Sequence, residues 1–136
     1  MQGREFLDPA GAIAHRSSEA DWRGAAVHAY YALILECREA LARWGRSPAG
    51  RLSIHATVRL KFTYAANADL KRIEKAVDSL SRLRNAASYD LSHLRQFTSA
   101  ITSQAAIDTA RDTIALLDAI EADPARRAAA IASLPP

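Results

Sequence analysis

Arg84 is the residue in this chain whose type and position most suggest chemistry. It sits in Leu83-Arg84-Asn85-Ala86-Ala87-Ser88-Tyr89-Asp90, a polar patch in a chain that is 49% hydrophobic. Upstream and downstream, Leu70, Ile73, Val77, Leu80, Ala87 and Leu91 recur at steps that trace one stripe along a helix. The next place on that stripe after Leu80 is position 84, so the pattern aims a guanidinium at the surface the helix buries. An unpaired charge there costs several kcal/mol, roughly, so Arg84 calls for an acidic partner, a wet cleft or a phosphate. A guanidinium is always charged and grips a phosphate with parallel donors. Arg82 and Ser88 join Arg84 as candidate phosphate ligands, with Asn85 and Tyr89 in the same polar patch. The structural alternative is a buried or interfacial ion pair with Asp90 or with an acid from another helix. Both readings stay open on the sequence.

The other titratable residues carry less. His28 falls within an apolar helix and reads as a hydrogen-bonded core or groove residue. His93 lies beyond the helical pattern, and His15 and His55 read as surface or loop residues. Di-iron bundles need several carboxylates and paired Glu-x-x-His motifs; the nearest match here is Asp90-x-x-His93, so no metal is expected. Glycine-rich phosphate loops and nucleophile elbows are absent, and no cofactor is expected.

The elements that must position Arg84 follow from composition and pattern. A length of 136 residues fits one domain, taken as 1–136. Alanine is abundant, glycine and proline are few, and strand-like alternation is missing, which predicts an all-α fold. One cysteine, Cys37, excludes an internal disulfide. No apolar run approaches the roughly 20 residues of a membrane span, and the first residues lack a signal-peptide pattern, so the expectation is a cytoplasmic protein. The net charge is +3, but ten basic residues between Arg46 and Arg95 face four acidic ones, making that segment +6. A basic middle suits phosphates and equally suits a solvated, ion-paired helix face.

In chain order, Asp8-Pro9 reads as a cap opening a short helix to about Arg16. Ser17-Ser18 with Asp21 caps a long helix to Trp44, striped by Trp22, Ala26, Ala29, Leu33, Cys37, Ala40 and Trp44. Its middle is apolar almost all round, which predicts the central helix. Gly45, Pro48 and Gly50 mark a loop, and a third helix is expected over about Leu52 to Phe62. Asn67 caps the Arg84 helix, which runs to about Tyr89, with a break over Ser92 to Thr98. Ser99, Thr102 and Ser103 offer caps for a long helix striped by Ile107, Ala110, Ile114, Leu117 and Ile120. Asp123-Pro124 opens a tail helix to about Ser133. The expected architecture is an antiparallel bundle of four main helices plus short terminal helices.

Two of these stretches together resemble the HEPN family of helical nucleotide-binding and RNA-cleaving proteins. The helix from Trp22 to Gly45 is similar to the family's early helix, with the run Ala29-Tyr30-Tyr31-Ala32. Leu83 to Ser92 resembles its signature, an arginine, often followed by a polar residue, then a histidine about five positions on. Arg84 and Asn85 match its start. Where active members carry the histidine this chain has Tyr89, as in the branch whose motif ends in tyrosine and aspartate. The resemblance covers about Asp21 to Ile120.

The resemblance implies a HEPN-like bundle that pairs as a homodimer, two arginine motifs lining one cleft. It also implies metal-independent chemistry on RNA, in which a 2′-OH attacks its own phosphate. That reaction needs a base, an acid and a cation; Arg84 suits the last, whereas tyrosine, with a pKa near ~10, is a poor base at neutral pH. Three functions follow. The chain binds RNA in a defence or toxin–antitoxin setting, with cleavage left open. Or it is an inactive HEPN module that binds a nucleotidyltransferase or antitoxin partner. Or it is a plain helical dimer in which Arg84 is structural.

Overall fold

A helix that is apolar nearly all round has to be covered on every side, and this requirement organises the chain. The computed structural model describes residues 1–47 and 53–136. Among them are six α-helices, two 3-10 turns and no strand. The helices are α1 (Leu7–Ala14), α2 (Glu19–Arg43), α3 (Ile54–Thr63), α4 (Ala68–Tyr89), α5 (Ile101–Ala122) and α6 (Pro124–Ser133); the 3-10 turns are Gly3–Phe6 and Arg95–Phe97. No helix among the described residues is long and apolar enough to cross a membrane.

The centre is α2. It packs against α1, α3, α4, α5 and both 3-10 turns. Its expected stripe from Ala26 to Trp44 is buried, and so are Ala25, Tyr30, Ala32, Ile34 and Leu41 on its other faces. Alanines along it let neighbouring helices approach. Around it, the α4 stripe buries Leu70, Ile73, Val77 and Leu80, and the α5 stripe buries Ile107, Ala110, Ile114, Leu117 and Ile120. Each Leu, Ile or Val among them stabilises the bundle by about 1.5–3 kcal/mol relative to exposure. Cys37 lies in this core with its thiol pushed up by burial, an inert small side chain.

Several helix starts follow their caps. Ser18 accepts from the Asp21 N–H, Asn67 from those of Asp69 and Leu70, and Asp123 from those of Ala125 and Arg126 with Pro124 at the first helical position. Ser53 caps α3; the expected start of that helix at Leu52 and the loop residues Pro48 and Gly50 lie outside the described residues.

Two boundaries depart from expectation. Helix α1 does not begin at an Asp8 cap: a 3-10 turn starts at Gly3 and runs straight into Leu7. The cause is tertiary. Gly3 lies so close to α2 that a Cβ would come within 2.8 Å of the Ala32 carbonyl oxygen and the Leu35 Cβ. Arg4 is tied to α2 as well, its backbone N–H donating to Glu36 Oε1 and its guanidinium bridging Glu36 and Asp118. Helix α5 begins at Ile101 without a side-chain cap on Ala100; Thr102 and Ser103 lie inside it, and the buried Ser103 hydroxyl donates to the Trp22 carbonyl.

The end of α4 is set by an arginine that the sequence pattern does not single out. Arg23, buried on α2, donates to the carbonyls of Ala86, Ala87, Asp90 and Ser92 and pairs with Glu19. Its guanidinium also lies 4.8 Å from the centre of the Phe97 ring. A cation at a helix C-terminus meets both the orphan carbonyls and the negative end of the dipole. The chain turns away at Asp90, so Leu91 leaves the stripe and stands 84% exposed.

Two stability outcomes follow. Arg23→Met is expected to lose roughly 2–4 kcal/mol in urea unfolding and to speed amide exchange in the last turn of α4; unchanged exchange there would remove the capping role. Gly3→Ala is expected to lose about 1–3 kcal/mol through overpacking against α2; a neutral result would mean that the N-terminal turn is not held by this contact.

Candidate functional site

Arg84 lies half-buried on the inner side of α4, and the company it keeps there is aromatic. On α2, Tyr30 and Tyr31 are neighbours in an edge-on arrangement, ring centres 5.5 Å apart. From α4, the Arg84 guanidinium lies over both, 5.0 Å from the Tyr30 ring centre and 5.9 Å from that of Tyr31. Ring faces carry partial negative charge, so they hold a cation without neutralising it. Arg84 is half-buried, and its Nε is buried with no hydrogen-bond partner among the described residues.

Asp90, the carboxylate named as a partner on the sequence, is engaged elsewhere, and so are the α4 carboxylates Asp78 and Asp69. Asp90 accepts from the backbone and hydroxyl of Ser92, which holds its carboxyl below the usual range. Asp78 takes Arg59 and Arg82, and Asp69 takes Arg126. No ion pair of Arg84 forms among the described residues. Within a single chain Arg84 is therefore held on two rings, with no carboxylate beside it among the described residues.

The third element of the site is α3. Its first turn carries His55, half-buried, whose Nδ1 lies 2.6 Å from the Tyr30 hydroxyl. The imidazole stacks near Tyr30 and meets the edge of Tyr31, ring centres 5.5 and 6.1 Å away. Burial, and then the nearby Arg84 charge, lower the His55 pKa below its ordinary 6.5. The imidazole is thus kept neutral near pH 7, which leaves one ring nitrogen as a proton acceptor. Burial raises the Tyr30 pKa, opposed by Arg84 and Ser81, so the phenol stays protonated. A neutral imidazole, a phenol and an uncompensated guanidinium meet at one place. Together they can hold an anion and move a proton.

His55 is the residue that sequence reading missed; it is placed in a helix and on the site, not in a surface loop. A hint existed. Tyr30 lies on a helix buried all round, and a buried phenol needs a hydrogen-bond partner. Nothing in the sequence says which residue supplies it.

The remaining candidates lie apart from this cluster. Asn85 and Ser88 are exposed on α4, and Arg82 is exposed and paired with Asp78. Tyr89, five residues after Arg84 and so well round the helix, is 76% exposed. His93 and His15 are exposed. His28 is half-buried on α2, bonded through Nδ1 to the Gly24 carbonyl, with its ring 5.7 Å from that of Phe6. Tyr30 is buried with its hydroxyl satisfied, as core packing predicts, whereas Tyr31 keeps part of its ring open. Compared with known protein families, curated proteins and solved structures, the chain matches none of them.

The lowered His55 pKa has a definite consequence for pH. Because the folded state resists protonating His55, the unfolded chain binds more protons between the folded pKa and 6.5. Stability therefore rises with pH through that window and is lost as pH falls through it. NMR titration is expected to place the His55 midpoint below 6.5, and Arg84→Gln to move it up part of the way, since burial remains. A midpoint at or above the ordinary value would show that the imidazole does not feel this environment.

Proposed function

We propose that this chain is a HEPN-type RNA-binding protein whose Arg84–Tyr30–His55 cluster cleaves RNA without a metal. The observation that carries the reading is the meeting of an unneutralised guanidinium with a neutral imidazole. The first is the group a phosphorane needs, and the second is the group a 2′-OH needs. With His55, the function assigned to a motif histidine passes from the Tyr89 position on α4 to the first turn of α3.

The chemistry follows from these groups. In the tautomer with its proton on Nδ1, His55 donates to the Tyr30 oxygen and keeps Nε2 as the acceptor. Nε2 takes the proton of a ribose 2′-OH as that oxygen bonds to the adjacent phosphorus. Arg84 offsets the charge gathering on the phosphate oxygens. The bond from phosphorus to the 5′ oxygen breaks, that oxygen takes a proton from water, and the products are a 2′,3′-cyclic phosphate and a 5′-OH. His55 then returns its proton to solvent.

The reading includes the HEPN-like arrangement of four main helices around this cluster. It also includes a homodimer in the cytoplasm, with two copies of Arg84 facing one cleft in a defence or toxin–antitoxin setting. A charge on a half-buried stripe is held more readily beside a wet two-fold cleft than in a sealed core. The second reading, an inactive module docked on a nucleotidyltransferase or antitoxin, is favoured by one observation. Tyr89 and Leu91 stand 76% and 84% exposed where α4 ends, and apolar surface of that kind suits a protein contact.

The test is cleavage of a mixed pool of labelled RNAs in EDTA. Wild type is expected to cleave, Arg84→Ala to lose about a hundredfold or more, and His55→Gln to lose about 10²–10⁴-fold, each with a cooperative unfolding transition intact. Loss of activity in Tyr89→Phe with His55→Gln still active would return the proton transfer to Tyr89. A folded wild type that cleaves nothing would favour the docking module.

A further inference from the structure

Helix α3 carries His55 in its first turn, yet it is only 10 residues long and buries just Thr57, Val58 and Phe62. A helix of that length does not hold itself in place, so contacts outside it must fix where its first turn stands. Val58 and Phe62 in the core set which face turns inward. They set the height of α3 along α4 less sharply, because apolar burial has no direction. Hydrogen bonds and ion pairs do have one.

Two such ties join α3 to α4. The Lys71 ammonium donates to the Thr63 carbonyl. One turn back along α3, the Arg59 guanidinium donates to Asp78, Nη2 to Oδ1 2.9 Å. A further turn back on α3 is His55. On α4, Asp78 stands next to Val77, at the edge of the stripe that runs on to Arg84. The ties therefore climb the antiparallel pair of helices toward His55 and Arg84, which both lie against the Tyr30 and Tyr31 rings. Among the described residues, Arg59–Asp78 is the polar tie between α3 and α4 nearest to His55. Asp78 is itself held. Its second oxygen pairs with Arg82 one turn along α4, Nη2 to Oδ2 2.9 Å, and its side chain is only 24% exposed. With Oδ2 engaged by its own helix, Oδ1 is left for α3.

We infer that Asp78 is a positioning residue for His55: through Arg59 it sets the height of α3 against α4, and so the place of the imidazole beside the Tyr30 hydroxyl and Arg84. The inference rests on the reading of Arg84, Tyr30 and His55 as a reactive cluster, and it adds the residue that keeps the cluster in register. Asp78 acts through α3 and touches no substrate. Arg82 stands behind it and orients the carboxylate. A pair as open to solvent as Arg59–Asp78 adds little to overall stability. Its effect is felt at His55 and not in the unfolding of the bundle.

The experiment uses the full chain with Asp78→Asn, Asp78→Glu and Arg59→Gln, and with Asp108→Asn, from an exposed pair on α5, as control. NMR titration of His55 is read first, because it needs no RNA. Asp78→Asn is expected to move the midpoint up toward the ordinary 6.5, as the imidazole leaves Arg84 and gains water. Loss of the carboxylate's own field would move it down, so a rise reports displacement. Asp78→Glu, which keeps the charge, is expected to bring the midpoint most of the way back, and Asp108→Asn to leave it in place. Amide exchange in α3 is expected to quicken about tenfold in Asp78→Asn and in Arg59→Gln, with urea transitions close to that of wild type. In RNA cleavage, Asp78→Asn is expected to lower kcat about tenfold with KM unmoved. A His55 midpoint that stays or falls in Asp78→Asn would overturn the positioning role, whatever the RNA result. A midpoint that rises while wild type cleaves no RNA would keep that role and remove the reading of the cluster as a ribonuclease.

Discussion

Tyr30 carries a hydroxyl into the middle of an apolar bundle, and a buried hydroxyl without a partner costs several kcal/mol, roughly. That constraint adds a polar link to three helices already packed on one another. The phenol faces α4 through the Arg84 guanidinium and α3 through His55, so these three side chains form one connected cluster. Each member sets the state of the others. The cation makes protonation of His55 harder and restrains the rise in the Tyr30 pKa. The phenol fixes the imidazole, and the two tyrosine faces hold the cation in place of a carboxylate.

A comparison of two arginines in the same bundle shows what is unusual about Arg84. Arg23 is also interior, and its donors are taken up by four carbonyls at the end of α4 and by Glu19. It is a structural cation with its hydrogen bonds in place. Among the described residues Arg84 keeps Nε buried without a partner, and its neighbours are rings and an imidazole.

The basic middle of the chain is a weaker guide to an anion than its net charge suggests. Arg59 and Arg82 share Asp78, Lys61 reaches the carbonyls of Pro135 and Pro136, and Lys71 caps the Thr63 carbonyl. Much of that charge is tied up in joining α3 and α4 to each other and to the tail. What distinguishes Arg84 is its surroundings, which the count of charges does not reveal.

The helices themselves were legible in the sequence because their causes are local. Ser18, Asn67 and Asp123 cap where their side chains reach the next N–H groups, and the stripes on α2, α4 and α5 bury the residues their spacing selects. Even the interior placement of Arg84 could be read from periodicity alone. The site could not, because its members meet across 25 and more residues of chain, and no local rule links Tyr30 to His55 or either to Arg84. Tertiary packing also overruled local signals where it held more contacts. The Asp8-Pro9 cap yielded to Gly3 pressed on α2, and the α4 stripe ended short of Leu91 because Arg23 gathers its last carbonyls. Sequence determined which residues turn inward, since that depends on spacing along one helix. Which of them touch was decided only when α2, α3 and α4 closed on one another, since that depends on how separate helices are set side by side.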